Sequence, residues 1–277
     1  MGDGGVARAW RKKSDAIKRG MFEDPTYRMV EEGHLIKRRT LDGRWQKYML
    51  PPNRQSMPPG SPIATVEKPE ADPDTGTLYP IIFGYVDPKG EIAAKTLQYM
   101  ERLWNQYWDT GGYARYNTDS EPDPGGGWPF ASLFVARAAA EAGDAERFWK
   151  VLRWLAEIHG GKSGAWFERY GPSITPPAPP VCWTGWTHAE VVLLVSYHLI
   201  GIRPGADRIA IRPKLLKGLD QLSHRFAVRG ATVEVTVRPG TNGPSATVNG
   251  MAVPVENGAI SMTYPAPGTT VAVQFTV

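Results

Sequence analysis

The pattern of apolar and polar positions changes period once along this chain. Before about residue 203, apolar residues recur at helical spacing; after it they alternate as on strands. Val6, Ala9, Trp10, Lys13 and Ile17 keep the helical spacing and predict an amphipathic helix over 6–19, with Gly20 as its stop. His34–Met49 predicts a hairpin, with Asp42-Gly43 at the turn and Trp45 and Tyr48 on the return strand. Prolines then break every pattern from Leu50 to Gly76, which reads as one long loop. Asp87-Pro88 opens the next helix, whose buried stripe is Ala93, Leu97, Met100, Trp104 and Tyr107, and Gly111-Gly112 stop it. Pro129–Ala142 is a further helix. Gly143 ends it and Asp144 caps its successor, lined by Phe148, Leu152 and Leu155, so the two form an antiparallel helical hairpin closed by Gly160-Gly161. Thr187 and Glu190 fit a capping box, in which each side chain satisfies an otherwise unpaired backbone N–H. Val191, Val192, Leu194, Val195 and Leu199 make the helix after them apolar nearly all round, which predicts deep burial up to Gly201.

Short strands are predicted over 207–212, 224–229, 231–237, 245–249, 251–255, 259–263 and 270–277. Asn249-Gly250 and Asn257-Gly258 are hairpin signals, because Asn and Gly accept the positive φ of a type I′ turn. Regular short strands with such turns indicate a small antiparallel β-sandwich. The expected architecture is multi-domain, α then β: helical hairpins over 1–202, including the proline-rich loop 50–76, then a sandwich over 203–277.

Composition narrows the function classes. The chain has 277 residues, enough for one large domain or two ordinary ones, and its 42% hydrophobic content supports a sizeable core. Net charge is +4, but residues 1–54 carry 13 Lys/Arg against 7 Asp/Glu, so the excess lies early and reads as a solvated basic face. No nucleic-acid reader motif accompanies it, and no nucleic-acid partner is expected. A single cysteine, Cys182, excludes an intrachain disulfide and a CxxC-type metal site; its aromatic setting makes it an inert buried thiol. No apolar run reaches the roughly 18 residues of a membrane span, so no membrane partner is expected. Residues 1–16 lack the apolar core of a signal peptide, which implies the cytoplasm if Met1 is the true start. Walker, GxGxxG and GxSxG patterns are all missing, and no cofactor is implied.

The chemistry concentrates in Gly164–Glu190, a loop holding Trp166, Trp183 and Trp186 and a run of prolines. Aromatic faces with one carboxylate suit a flat hydroxylated ligand such as a sugar. Glu168, between Phe167 and Arg169-Tyr170, is the first candidate for accepting a proton from water; its bland reading is a surface ion pair with Arg169. Asp119, Glu121 and Asp123 lack the calcium-loop spacing, so ligand-hydroxyl contacts or solvation fit them better than metal. Arg115 can donate a bidentate bond to a ligand oxygen, or pair with Asp119. Glu190 is accounted for by the capping box. His188 sits at a helix start, where the dipole disfavours its charged form, and reads as a neutral donor near the pocket or a packed residue.

Several motifs together resemble the glucoamylase-type inverting glycoside hydrolases, members of the six-hairpin glycosidase superfamily with an (α/α)6 toroid. Gly112-Tyr-Ala-Arg-Tyr-Asn-Thr-Asp-Ser followed by Gly127-Trp-Pro-Phe-Ala-Ser-Leu-Phe resembles that family's RY…D…G-x-P-W loop running into a helix. Phe167-Glu-Arg-Tyr resembles its PEQ turn, and Trp186-Thr-His-Ala-Glu its TWSHAE helix start. The segment from Leu78 to Pro88 and, more weakly, Leu35–Gly43 extend the likeness over residues 28–204. The tail from Gly201 is similar to β-sandwiches that follow the toroid in rhamnosidase-, phosphorylase- and debranching-type enzymes, which leaves trehalases and other toroid glycosidases open as the nearer relatives. The resemblance implies an exo-acting, inverting hydrolase of O-glycosidic bonds whose partner is an oligosaccharide or glycoside. Glu168 would be its general base, with Arg115, Tyr116, Asp119, Trp128, Trp183, Trp186 and His188 around the sugar. The sequence departs from the family where Gly127-Trp-Pro replaces G-x-P-W and Glu168-Arg replaces Glu-Gln.

An inverting site needs two carboxyl groups roughly 6.5–9.5 Å apart. In the resembled family the acid precedes these segments, and none of Asp15, Glu23 and Asp24 has a suitable aromatic context. The chain is therefore expected to represent the second half of a toroid with its sandwich, completed by a missing N-terminal half or a complementing chain, and inactive alone. A non-catalytic sugar-binding or scaffold protein is the alternative. A toroid lyase or epimerase for uronic acids is another, using a Tyr or His base with Arg115 and Arg169 for the substrate carboxylate.

Overall fold

The computed structural model describes residues 4–48, 70–105, 111–117, 126–170 and 183–277. Tyr107, Asp119, Glu121, Asp123 and Cys182 lie outside them. The order is α then β, with six α-helices among the described residues preceding two small sheets. Two compact units are distinguished, residues 1–138 with 150–184 and residues 139–149 with 185–277.

In the first unit, α1 (Gly4–Phe22) runs past the expected stop: Gly20 lies in its last turn, and the chain turns only at Asp24, whose Oδ1 accepts from Thr26 N and Tyr27 N. The hairpin differs from expectation. β1 (Val30–Glu31) pairs with β2 (His34–Leu35) across Glu32-Gly33, and beyond them only an Arg39–Trp45 bridge surrounds the Asp42-Gly43 turn. A short helix, α2 (Tyr79–Ile82), precedes α3 (Glu91–Met100), which starts after Gly90 rather than at Pro88. Ala93, Leu97 and Met100 are buried as predicted, whereas Trp104 lies beyond a 3-10 turn in extended backbone and leaves the helical stripe. Thr96 Oγ1 accepts from Leu35 N and so ties β2 to α3.

α4 (Pro129–Ala142) and α5 (Ala145–Glu157) are joined by Gly143-Asp144, and Asp144 Oδ1 accepts from Arg147 N as the cap. α6 (Gly185–Leu193) begins before the expected capping box, so Thr187 is a buried residue of its first turn and not its cap. The expected deep burial is also corrected. Val192 and Leu193 are exposed, and burial resumes only along the π-helical segment Leu194–Leu199.

The second unit's strands are β3 (Ile202–Pro204), β4 (Arg208–Ile211), β5 (Leu222–Val228), β6 (Ala231–Arg238), β7 (Ser245–Val248), β8 (Met251–Val253), β9 (Ile260–Thr263) and β10 (Thr270–Thr276). They form a three-stranded sheet, β3-β4-β9, and a five-stranded sheet, β5-β6-β10-β7-β8. The larger sheet is mixed, contrary to the antiparallel expectation, because β10 runs parallel to β6. Alternation holds: Val233, Val235 and Val237 of β6 and Val271, Val273 and Phe275 of β10 are buried. They share one apolar cluster with Ile211 and Ile260 of the smaller sheet. Burying each such side chain contributes about 1.5–3 kcal/mol relative to exposure.

Candidate functional site

In the first unit, three stretches far apart in sequence are stitched together by backbone. Gly127 N donates to Tyr170 O at 2.8 Å and Tyr170 N returns a bond to Gly127 O at 2.7 Å. That pair places the Phe167-Glu168-Arg169 turn beside the loop carrying Trp128. Trp128 N donates to Tyr113 O at 2.9 Å, bringing in the Arg115-Tyr116 segment, and Tyr113 N is held by Ser132 Oγ at 2.8 Å. The approach requires glycine at 127: a Cβ there would lie 2.3 Å from Gly111 O and 2.6 Å from the Trp154 ring. Gly127→Ala is expected to destabilise the protein by about 1–3 kcal/mol, as overpacking does, read as a lowered urea midpoint; an unchanged midpoint would show that the loop yields freely.

Arg115 stands over this junction. Its guanidinium lies 5.4 Å from the Tyr116 ring, 6.0 Å from Trp128 and 5.9 Å from Phe130. Cation–ring attraction positions the arginine while its exposure leaves N–H donors for a ligand. Trp128 and Tyr116 are buried. Glu168 is half-buried. The turn itself is fixed by Tyr170, whose hydroxyl accepts from Phe167 N at 3.1 Å and donates to His159 O.

Sequence reasoning missed the groups behind Tyr116. Lys37 Nζ lies 5.1 Å from the Tyr116 ring and 3.0 Å from Asp74 Oδ2. Asp72 is 1% exposed and accepts from Lys37 N at 2.7 Å and Trp45 Nε1 at 2.8 Å. Burial pushes its carboxyl up, against those hydrogen bonds and the Lys37 charge. So enclosed, Asp72 orders Lys37 and Trp45 rather than meeting a substrate. The only available signal was Asp72-Pro-Asp74, hidden at the end of a proline-rich stretch.

Trp183 is 75% exposed with φ of 57°, a left-handed backbone that costs a bulky residue about 1–3 kcal/mol. Trp186, 47% exposed, and His188, also exposed, belong to the first turn of α6 in the second unit. Glu190 lies mid-helix and half-buried. Asp119 lies outside the described residues.

No protein-family model matches the chain, and no curated protein does. Among solved structures it is similar to a glycosidase in its wild-type form, at 18% identity and a TM-score of 0.45. Two point variants, also titled glycosidase, match at 18% and 19% identity, each with a TM-score of 0.47. Each match covers 70% of this chain and 45% of the other, so the chain spans less than half the length of the structures it resembles.

Proposed function

We propose that this chain contributes the water-activating side of an inverting glycoside hydrolase site. The reading rests on one observation, the reciprocal Gly127–Tyr170 hydrogen bonds that bring the Glu168 turn beside Trp128 and the Arg115-Tyr116 segment. Glu168 takes a proton from water as the water oxygen bonds to the anomeric carbon; the glycosidic C–O bond breaks, and the departing oxygen receives its proton from a separate acid. Trp128 and Tyr116 supply aromatic surface for the sugar ring, Arg115 donates to its oxygens, and Asp119 and Trp183 are assigned to the same ligand. The part assigned to Trp186 and His188 comes from the motif resemblance alone. On this reading residues 1–202 are part of an (α/α)6 toroid and 203–277 a β-sandwich.

The test is hydrolysis of nitrophenyl glycosides and underivatised disaccharides by the full gene product, with the released anomer followed by NMR. Inversion of configuration is expected. Arg115→Ala should raise KM by roughly 10–100-fold, the loss of a charge-assisted hydrogen bond worth about 1.5–3 kcal/mol. Retention of configuration would overturn the mechanism, and sugar binding without turnover would favour a lectin-like role.

A further inference from the structure

We propose that a cleft of about 450 Å³ in the first unit binds a small molecule with a flat apolar body and one polar end. This cleft does not include Glu168, and it adjoins the proposed sugar site through Lys37, whose Nζ lies 5.1 Å from the Tyr116 ring. Ile17 and Met21 of α1 form one wall, and Tyr79, Phe83 and Tyr85 form the facing one. Ile17 is 55% exposed, Phe83 54%, and Tyr79 and Tyr85 38% each. Scattered exposed apolar residues need no explanation, but four converging on one cavity do. Tyr79 and Phe83 are stacked, with centroids 5.6 Å apart and planes 10° from parallel, so they offer a ready shelf for a third ring. No residue of α1 is buried, and a hydrogen bond between its Ser14 Oγ and Tyr85 Oη, 3.0 Å, spans the two sides.

The polar end is also defined. Lys37 Nζ and Asp74 Oδ2, 3.0 Å apart, line the cleft and keep 18% of their side chains exposed. Together they offer a donor and an acceptor, which fits a hydroxyl or amine head rather than a bare anion. Size and polarity select the ligand class. One turn of helix, 10–12 Å wide and 5.4 Å in pitch, fills roughly 400–600 Å³, so the cleft holds about one turn at most and is too short for a docked helix of several turns. A free sugar would leave most of its hydroxyls unpaired against the apolar walls. An aromatic or fused-ring molecule with one hydrogen-bonding group satisfies both limits, and 450 Å³ lies within the usual range for ligand pockets.

Titration with N-phenyl-1-naphthylamine, an aryl amine that fluoresces on leaving water, tests this. One saturable site per chain is expected, with affinity lowered at least tenfold by Thr77→Trp, which fills the cleft, and severalfold by Phe83→Ala, which removes half the shelf. Phe83 is largely exposed, so that variant reports on the site even if Thr77→Trp fails to fold. Millimolar glucose should displace nothing, and Glu168→Gln should leave the titration unchanged. Absence of saturable binding, or affinity unaltered by Phe83→Ala in a folded protein, would overturn the proposal.

Discussion

In the full gene product, Glu168→Gln is expected to lower kcat for glycoside hydrolysis by about 10²–10⁴-fold, the usual worth of a positioned general base, while KM stays within a few-fold. The substitution keeps side-chain shape and removes only the charge that accepts the water proton, so substrate contacts through Arg115, Tyr116 and Trp128 should persist. Azide gives a sharper measurement, because an anionic nucleophile has no proton to lose. Added to Glu168→Gln with a glycosyl fluoride, it should restore turnover and yield a glycosyl azide of inverted configuration. Arg169→Ala is the matched control. It alters the neighbour of the base but not the base. Full hydrolysis by Glu168→Gln would end the assignment.

That assignment could be read only partly from the chain. Glu168 and Arg115 stood out because their residue types suit the chemistry, but nothing local says that Gly127 and Tyr170 exchange two hydrogen bonds. Backbone pairing over that separation is decided by packing, here the fit of Gly127 against Trp154. Lys37 and Asp72 were missed for the same reason: their partners, Tyr116 and Trp45, lie in other segments. The strands were legible because alternation and Asn-Gly turns are local signals, and Asn249 and Asn257 do adopt φ of 50°. β3 was not, being three residues long and ending in Pro204. The parallel β6–β10 pair was also illegible, since the alternation along each strand is the same whichever way its neighbour runs. α6 shows the limit of composition: an apolar helix predicts burial, yet Val192 and Leu193 are exposed.

Removing Glu141 should cost the second unit about 3–5 kcal/mol, as breaking a buried ionic cluster by one partner does. Glu141 ends α4 at 13% side-chain exposure, with His198 Nδ1 2.6 Å from Oε1 and Lys214 Nζ bonded to Oε2. Arg203, its guanidinium 3.3 Å from the Tyr197 ring centroid, lies 3.5 Å from Oε1. Burial alone would raise the Glu141 carboxyl, but the His198 and Lys214 bonds and charges outweigh it and hold it at about 2, against 4.5 when free. Burial, with the Arg203 and Arg212 charges, also lowers the Lys214 ammonium against the bond and charge of Glu141. A carboxyl depressed on folding stabilises above its unfolded value and stops doing so as pH falls through its folded value. The contribution is thus complete above pH 4.5 and fades towards pH 2, on the order of 3 kcal/mol in all. Urea midpoints of wild type and Glu141→Gln, compared from pH 7 to pH 2, should therefore converge in acid. A difference that stays constant across that range would show that Glu141 acts by packing and not by charge.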